Sequence, residues 1–242
     1  MAYFQILGTG PSTPITDATG RNYRRRTSAL MQNISSYIML DVTHDFDEQI
    51  EVALSVTGVV ITNVSRDAAG GLGNLDKWTD EEVVLYAPLD LFKELEARYG
   101  PFQRLKHHPV ESGETADAGD ISITPFRVET TGSAPTYGYV LDTGKKRVCY
   151  VSDIKTLPAE SEEHLRGNDV LVIDGAGWDK DLPTHRGALN HLNKYGTWGN
   201  ERIIFTHIGR SAPPHSQACS IIKRMNYTAE VAYDFMKIPL GR

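Results

Sequence analysis

Three apolar runs of this sequence end directly in polar side chains. The runs are Ile61–Asn63, Tyr150–Asp153 and Ile203–His207. Side chains at the ends of buried strands lie at a rim where a rigid scaffold holds them, a common location for functional groups. The carboxylate of Asp153 and the imidazole of His207 can both transfer protons. Polar groups that merely satisfy one another where strands meet loops are the alternative, but three such ends together favour a functional site.

Two further segments carry groups suited to acid–base chemistry and anion binding. His185 has an imidazole that titrates near neutral pH and suits a general acid, although a loop histidine bonded to the backbone is an alternative. Arg210 and His215 follow His207 closely enough to share its cleft. The planar fork of the Arg210 guanidinium suits phosphate or carboxylate. A loop that starts a helix and binds no ligand is the alternative for this segment.

Four other residues are candidates for supporting roles. Trp178 could form a wall of the cleft, or it could be an ordinary core aromatic. His44 could supply a further imidazole, or it could be a surface residue that caps the next helix. Asp41 and Asp174 end buried strands and could orient the groups that bind substrate or metal.

Short β-type runs recur through both halves of the chain, with helical segments between them. The runs are rich in Val, Ile, Tyr and Thr and are bounded by Gly, Asn, Asp or Pro. This order predicts a layered α/β sandwich in one domain, residues 1–242. The predicted strands are Phe4–Leu7, Ala29–Met31, Tyr37–Asp41, Val59–Thr62, Val83–Tyr86, Ile121–Val128, Tyr137–Asp142, Arg147–Ser152, Val170–Asp174 and Ile203–His207. The predicted helices are Phe46–Thr57, Leu89–Tyr99, Leu157–Arg166, Leu189–Tyr195 and His215–Met225.

Composition excludes several classes of function. The 242 residues carry a formal net charge of −6, which argues against general nucleic-acid binding. No apolar run approaches the roughly 20 residues that span a bilayer. The chain opens without a cationic leader, and its two cysteines form no ligand cluster. We therefore expect a cytoplasmic protein with no membrane partner, and a homodimer is left open.

The order of segments resembles the metallo-β-lactamase fold, in particular its phosphodiesterase branch. That branch includes the cyclic phosphodiesterase of phosphonate breakdown and the tRNA 3′-processing nucleases. The resemblance implies a four-layer αββα sandwich and covers nearly the whole chain. The segments that carry it are Leu7–Pro11, Arg24–Ala29, Leu40–Thr43, Ile61–Leu72, Thr136–Tyr139, Tyr150–Asp153, Leu171–Asp174 and Phe205–Ile208.

The resemblance implies that the first metal site of the family is absent here. The family places two histidines in the metal-binding loop and a third before a Gly-Tyr strand. At those positions this sequence has Asn63, Ser65 and the segment Glu129–Gly132, which contains no histidine. The two-metal mechanism of the family therefore cannot be transferred to this chain.

The same resemblance implies that this sequence retains most ligands of the second metal site of the family. The family uses an aspartate and a histidine of the loop, a bridging aspartate and a late histidine. Here these positions are Asp67, Ala68, Asp153 and His207, so three of the four ligands persist. A further family histidine, assigned an acid or substrate-binding role, corresponds to His185. The resemblance thus implies Asp67, Asp153 and His207 as metal ligands, with Asp67 and His185 as catalytic residues.

Two carboxylates and one imidazole would leave coordination positions open for water or substrate. This ligand set favours Mn²⁺, Fe²⁺ or Mg²⁺, and it can also bind Zn²⁺. One divalent cation or none fits the sequence equally well. The leading hypothesis is a divergent hydrolase that uses one cation on a phosphodiester or ester of a small anionic molecule. The alternatives are an inactive ligand-binding or partner-binding module and an enzyme that uses metal-free acid–base chemistry.

Overall fold

Two seven-stranded β-sheets form the centre of the structure. The computed structural model describes residues 2–53, 55–132, 134–225 and 227–241. The first sheet contains β1 (Tyr3–Gly8), β2 (Ser28–Gln32), β3 (Tyr37–Leu40), β4 (Gly58–Val60), β5 (Val83–Ala87), β6 (Leu105–Pro109) and β14 (Lys237–Pro239). The second sheet contains β7 (Ala116–Ala118), β8 (Ile121–Arg127), β9 (Tyr137–Asp142), β10 (Arg147–Val151), β11 (Val170–Asp174), β12 (Ile203–Thr206) and β13 (Ala229–Val231).

Both sheets follow the same plan, with antiparallel strands on one side and parallel strands on the other. The order in the first sheet is β14-β1-β2-β3-β4-β5-β6, and pairing is parallel from β3 to β6. The order in the second sheet is β13-β12-β11-β10-β9-β8-β7, and pairing is parallel from β10 to β13. Because parallel strands end at the same edge, the residues that follow β10, β11 and β12 are brought together.

Side chains of the strands alternate between two apolar layers, as the period of a β-strand requires. In β10, Val148 and Tyr150 pack in the core between the two sheets. Their neighbours Cys149 and Val151 pack on the opposite face, in a second core that includes residues of the helices that follow β11 and β12. Two sheets with flanking helices confirm the predicted αββα sandwich.

The α-helices lie in amphipathic segments of the chain between strands. The α-helices are α1 (Phe46–Gln49), α2 (Arg66–Ala69), α3 (Leu72–Trp78), α4 (Leu89–Tyr99), α5 (Ala188–Tyr195) and α6 (His215–Arg224). Short 3-10 segments occupy Gly20–Asn22, Ile50–Val52 and Ala159–Leu165. The buried residues of α5 are Ala188, His191, Leu192 and Tyr195, which is the spacing of one helical face. No helix in the described ranges is long and apolar enough to cross a membrane.

The predicted strands are confirmed to within two residues at their ends, whereas two predicted helices are wrong in type or length. The segment predicted as Phe46–Thr57 is α-helical only to Gln49. The backbone N–H of Thr57 donates to the carbonyl of Tyr37 at 2.9 Å. The backbone at Thr57 is therefore hydrogen-bonded to strand β3 of the first sheet and cannot be part of the helix. The segment predicted as Leu157–Arg166 forms the 3-10 turns of Ala159–Leu165.

Gly71 allows the loop before α3 to approach the backbone of Thr43, and we expect Gly71→Ala to destabilise the protein. A Cβ atom at Gly71 would lie 2.0 Å from the carbonyl oxygen of Thr43, so backbone must move. We expect a loss of about 1–3 kcal/mol in the free energy of unfolding, measured by urea denaturation.

Gly73, two residues further on in α3, provides the matched control. A Cβ atom there would meet nothing within 4 Å. Gly73→Ala should therefore raise the free energy of unfolding by up to about 1 kcal/mol, since alanine restricts the unfolded chain more than glycine does. Equal stabilities of the Gly71→Ala and Gly73→Ala proteins would contradict the close approach.

Candidate active site

The predicted strand ends meet around one cavity of about 380 Å³. Asp153 follows β10 by two residues, His207 directly follows β12, and the chain between β11 and α5 brings in His185. The acidic and imidazole side chains that line the cavity are Asp67, Asp153, His185 and His207. Further polar side chains at its wall include Ser12, Asn63, Ser65, Arg98, Thr130 and Thr184.

Asp153, His185 and His207 form the compact part of this site. Each offers one potential ligand atom, and these atoms all lie within 4.8 Å of one another. The rings of His185 and His207 meet edge to face, with their centroids 5.0 Å apart. One carboxylate and two imidazoles at this spacing are a donor set that could hold a metal ion.

His207 is held in a defined orientation at the base of the cavity. Its Nδ1 atom lies 2.9 Å from the carbonyl oxygen of Ser152, so Nδ1 carries the proton and donates it. In the neutral form of the ring, the Nε2 atom is thereby left as the acceptor. The backbone of His207 has a φ of 54°, a left-handed conformation that is costly for a non-glycine residue and is typical of functional sites.

The pKa of the His207 imidazole is raised to about 9. Burial by itself would lower this pKa, but the negative charges of Asp153, Asp174 and Asp67 outweigh burial. The cavity therefore provides a strongly negative environment for any positive charge at His207, whether a proton or a bound cation.

His185 is oriented by the buried carboxylate of Asp174. Its Nδ1 atom lies 2.6 Å from Oδ2 of Asp174. The carboxylate also accepts hydrogen bonds from the backbone N–H groups of Ile154 and Ala176, at 3.1 and 2.8 Å. Burial opposes a charge on His185, but the hydrogen bond and charge of Asp174, with the charge of Asp153, outweigh it and raise the pKa of His185. Asp174 thus has the orienting contact that its strand-end position predicts.

Asn63 contributes an amide to the site. Its Nδ2 atom lies 3.4 Å from Oδ2 of Asp153, an oxygen that also accepts a 2.9 Å hydrogen bond from the hydroxyl of Ser152. The Oδ1 atom of Asn63 accepts a hydrogen bond from the backbone N–H of Ser65 at 2.9 Å. The amide therefore links the loop to Asp153 through hydrogen bonds.

Asp41 fixes the strand ends behind the cavity. Its fully buried carboxylate accepts hydrogen bonds from the N–H and hydroxyl of Thr62, at 2.8 and 2.9 Å, and from the hydroxyl of Tyr150 at 3.1 Å. Burial is the largest influence on this group and, with the nearby charge of Asp153, outweighs the hydrogen bonds from Thr62 and Tyr150 and raises the pKa of Asp41 to about 8. Asp41 therefore joins the ends of both sheets.

Asp67 lies in the same cavity but outside the compact group. It is half-buried on α2, and its charge raises the pKa of His207. The structure instead groups His185 with Asp153 and His207, a ligand role that the sequence analysis did not give to His185. Asp67 as a metal ligand or catalytic residue stays a prediction.

Arg210 and His215 are not brought to this cavity. Arg210 is exposed and lies 3.1 Å from the carboxylate of Asp17, beside a separate cavity. His215 is buried at the start of α6, where its backbone N–H donates to Asn22 at 2.7 Å. The chain turns away after His207, so the expected shared cleft does not form. Substrate binding by Arg210 and His215 stays a prediction without geometric support.

Trp178 and His44 also lie apart from the cavity wall. Trp178 is buried in the core on the outer face of the second sheet, where it packs with residues such as Ile173 and Leu192. It therefore has the surroundings of the core aromatic that was the alternative to a cleft wall. His44 is exposed, and its Nε2 atom accepts a hydrogen bond from Nε of Arg66 at 3.3 Å.

Arg98, Thr130 and Thr184 are cavity residues that the sequence analysis did not identify. Arg98 lies in the last turn of α4, far along the chain from the strand ends. Thr130 lies in the segment Glu129–Gly132, which contains no histidine, and Thr184 directly precedes His185. Of these three residues, only Thr184 could have been found from the sequence, because it is adjacent to the predicted site residue His185.

His191 is a buried histidine of α5 that makes the stability of the protein depend on pH. Burial lowers its pKa from 6.5 to about 3. Within the described residues, neither of its ring nitrogens has a hydrogen-bond partner. The unfolded chain takes up a proton at His191 below about pH 6.5, whereas the folded protein does so only near pH 3. The stability contribution is therefore complete above pH 6.5 and is lost as the pH falls.

We expect His191→Leu to weaken this pH dependence. One proton changes the free energy of unfolding by at most about 1.4 kcal/mol per pH unit, so the slope between pH 6 and pH 4 should decrease by up to that amount. Urea denaturation at several pH values measures it. His108→Leu, a change at an exposed histidine, is the control. An unchanged slope in the His191→Leu protein would contradict a neutral, buried imidazole.

The fold and the site together define the class of protein. The sequence model described as the beta-lactamase superfamily domain matches residues 39–226, and the chain belongs to this family. The metallo-β-lactamase fold inferred from the segment order is thereby confirmed.

Solved structures share the fold along their whole length. A diphosphatase from the PhnP family is 24% identical, with a TM-score of 0.85, and the match covers 100% of this chain and 98% of that chain. The Zn²⁺-bound PqqB of Methylobacterium extorquens is 17% identical, with a TM-score of 0.79 and coverage of 98% and 100%. The short form of human tRNase Z is 15% identical, with a TM-score of 0.75 and coverage of 99% and 100%.

A curated relative is considerably longer than this chain. It is an octanoyltransferase of Porphyromonas gingivalis, strain ATCC BAA-308 / W83, and is 24% identical over 241 residues. The match covers 90% of this chain and 48% of the relative, so the chain spans about half the length of that protein.

Proposed function

We propose that this protein is a hydrolase that cleaves a phosphodiester or ester bond in a small anionic molecule, using one divalent cation. The observation that carries the proposal is the compact group of Asp153, His185 and His207 inside a cavity. The family membership supports hydrolytic chemistry, and the metallo-β-lactamase fold is shared with a diphosphatase and a tRNase.

The donor atoms of the cavity fit one cation better than two. Asp153, His185 and His207 supply one oxygen and two nitrogens, and Asp67 lies in the same cavity. The remaining loop positions of the family motif carry the amide of Asn63 and the hydroxyl of Ser65, which are weak ligands beside imidazole, and the methyl group of Ala68, which is no ligand. When bound, a single cation such as Zn²⁺, Mn²⁺, Fe²⁺ or Mg²⁺ would polarise the substrate and lower the pKa of water.

The side chains themselves supply orientation and proton transfer. Asp174 fixes the Nδ1 atom of His185, so that its Nε2 atom is left either to bind the cation or, when it binds no cation, to exchange a proton with the leaving oxygen or with water. The Ser152 carbonyl fixes His207 in the same manner. Asn63 and the Ser152 hydroxyl hold Asp153 in place, so the groups are positioned before substrate arrives.

An acyl ester is the second candidate substrate. The P. gingivalis octanoyltransferase, which matches this chain over about half its own length, favours it. The polarised carbonyl of an acyl ester makes the same demands on the site as a phosphoryl group: an oriented imidazole and a stabilised oxyanion.

Hydrolysis assays with and without a chelator test the proposal. Bis(p-nitrophenyl) phosphate represents a phosphodiester and p-nitrophenyl octanoate an acyl ester. Elemental analysis of protein purified without added metal gives the cation content. The proposal expects hydrolysis of one substrate, inhibition by chelation, and restoration by one equivalent of a divalent cation.

Two other results would point to the competing hypotheses. Hydrolysis that survives complete removal of metal would support metal-free acid–base chemistry by the two histidines and the acidic residues. Absence of both hydrolysis and cation uptake would reject the hydrolase and favour a ligand-binding or partner-binding module.

A further inference from the structure

Arg98 provides the cavity with a permanent positive charge. It is the only lysine or arginine among the described residues that line the cavity, which also contains the carboxylates of Asp67 and Asp153. In the part of the chain that the structure describes, Arg98 forms no salt bridge, and its side-chain hydrogen bond goes to a neutral carbonyl. An unpaired guanidinium beside a cavity is well suited to an anionic ligand.

A shared backbone carbonyl fixes the position of Arg98. The Nη1 atom of Arg98 donates to the carbonyl of Val64 at 3.0 Å, and the hydroxyl of Tyr99 donates to the same oxygen at 2.9 Å. Val64 lies between Asn63 and Ser65, the two loop positions at which this chain lacks the imidazoles of its family. The guanidinium is therefore tied to the part of the loop where the first metal of the family would be held.

We propose that Arg98 binds the phosphoryl group of the substrate and supplies there the positive charge that a second cation would otherwise provide. The inference rests on the proposed function, because it assigns the substrate anion to the same cavity. With Nη1 directed to Val64, the other N–H groups of the fork remain for two phosphoryl oxygens. The preferred substrate is then a phosphodiester, because its non-bridging oxygens match the fork, and the positive charge of the guanidinium offsets the repulsion of that anion by Asp67 and Asp153.

Binding of inorganic phosphate to the metal-free protein tests this role without any need for turnover. Isothermal titration calorimetry on the wild-type, Arg98→Met and Arg98→Lys proteins measures the affinities. We expect Arg98→Met to weaken phosphate binding by about tenfold or more, since a hydrogen bond to a charged group is lost. Arg98→Lys keeps the charge without the planar fork and should fall between the two.

Lys93→Met provides a control for the change in net charge. Lys93 is exposed on the same helix, α4, and does not line the cavity. We expect the affinity of the Lys93→Met protein for phosphate to stay within about twofold of that of the wild type, because an exposed charge outside the site is screened by salt. Thermal unfolding of each variant shows whether the fold is intact. If Arg98→Met fails to fold, the comparison of Arg98→Lys with wild type decides the question.

The possible results distinguish the phosphate-binding role of Arg98 from the proposal that the protein is a hydrolase. Failure of the wild-type protein to bind phosphate, or equal losses in Arg98→Met and Lys93→Met, would overturn the role of Arg98. Binding that depends on Arg98 in a protein without hydrolytic activity would uphold that role and reject the hydrolase. Hydrolysis of bis(p-nitrophenyl) phosphate with an unchanged KM in Arg98→Met would uphold the hydrolase and reject the role of Arg98.

Discussion

Asp153→Asn is expected to reduce the affinity for a divalent cation by about a hundredfold or more and to lower hydrolytic activity by about a thousandfold. Asp153 supplies the only carboxylate of the compact group with His185 and His207. An asparagine keeps the shape and can still accept the hydrogen bond from Ser152, but it removes the negative charge. Cation stabilisation of a reacting group is worth several kcal/mol, and each 1.4 kcal/mol is tenfold in rate.

Asp169→Asn is the matched control for this charge change. Asp169 pairs with Lys146 at the opposite end of the second sheet, before β11 begins, and does not line the active-site cavity. Calorimetric titration with Mn²⁺ and Zn²⁺ and the phosphodiester assay are applied to both variants. Unchanged cation binding in Asp153→Asn, or equal losses in both proteins, would remove Asp153 from the metal site.

The sequence predicts the fold well because buried strands have a strong local signature. In β10, β11 and β12 nearly continuous apolar runs, Val148–Val151, Val170–Ile173 and Ile203–Phe205, are buried on both faces, and the strand bounds differ from the prediction by at most one residue. The strand β6 was missed because Lys106, His107 and His108 make it polar. The His107 ring stacks on Phe92 with centroids 3.9 Å apart, a tertiary contact without a local pattern.

Part of the site could be predicted for the same reason. Asp153 and His207 lie within two residues of the ends of buried strands, so the strand prediction places them at the same edge. Arg98 lies on α4, the helix between β5 and β6 of the first sheet, and its approach to the cavity depends on packing between α4 and the loop at Val64. No pattern in one sequence shows such a contact.

Closeness to His207 in sequence does not bring Arg210 and His215 to the cavity. Both residues follow His207 within eight positions, but the chain leaves the site at once. A Cβ atom at Gly209 would lie 2.3 Å from the carbonyl of Ala176, which shows how tightly this turn packs against the neighbouring segment. The turn directs the following residues towards Asn22 and Asp17 rather than into the cavity.

Asp174→Asn is expected to lower the pKa of His185 and to reduce activity by about 10- to 100-fold. Burial of His185 favours its neutral form, and the hydrogen bond and charge of Asp174 are the largest influences that oppose burial. An asparagine at this position loses the charge and also leaves the ring orientation less defined. Losses of 10- to 100-fold are typical when a carboxylate that orients an active-site histidine is removed.

The pKa of His185 can be measured without turnover by NMR titration of its ring protons in the metal-free protein. Asp181→Asn is the control, because Asp181 supports the same loop through the backbone N–H of Gly187 but does not contact His185. A pKa of His185 that is unchanged in Asp174→Asn would show that Asp174 does not control its charge. An equal decrease in Asp181→Asn would show that loop distortion, and not the hydrogen bond of 2.6 Å, determines it. The orienting role of Asp174 therefore requires that the two carboxylates of this region have different effects on the same imidazole.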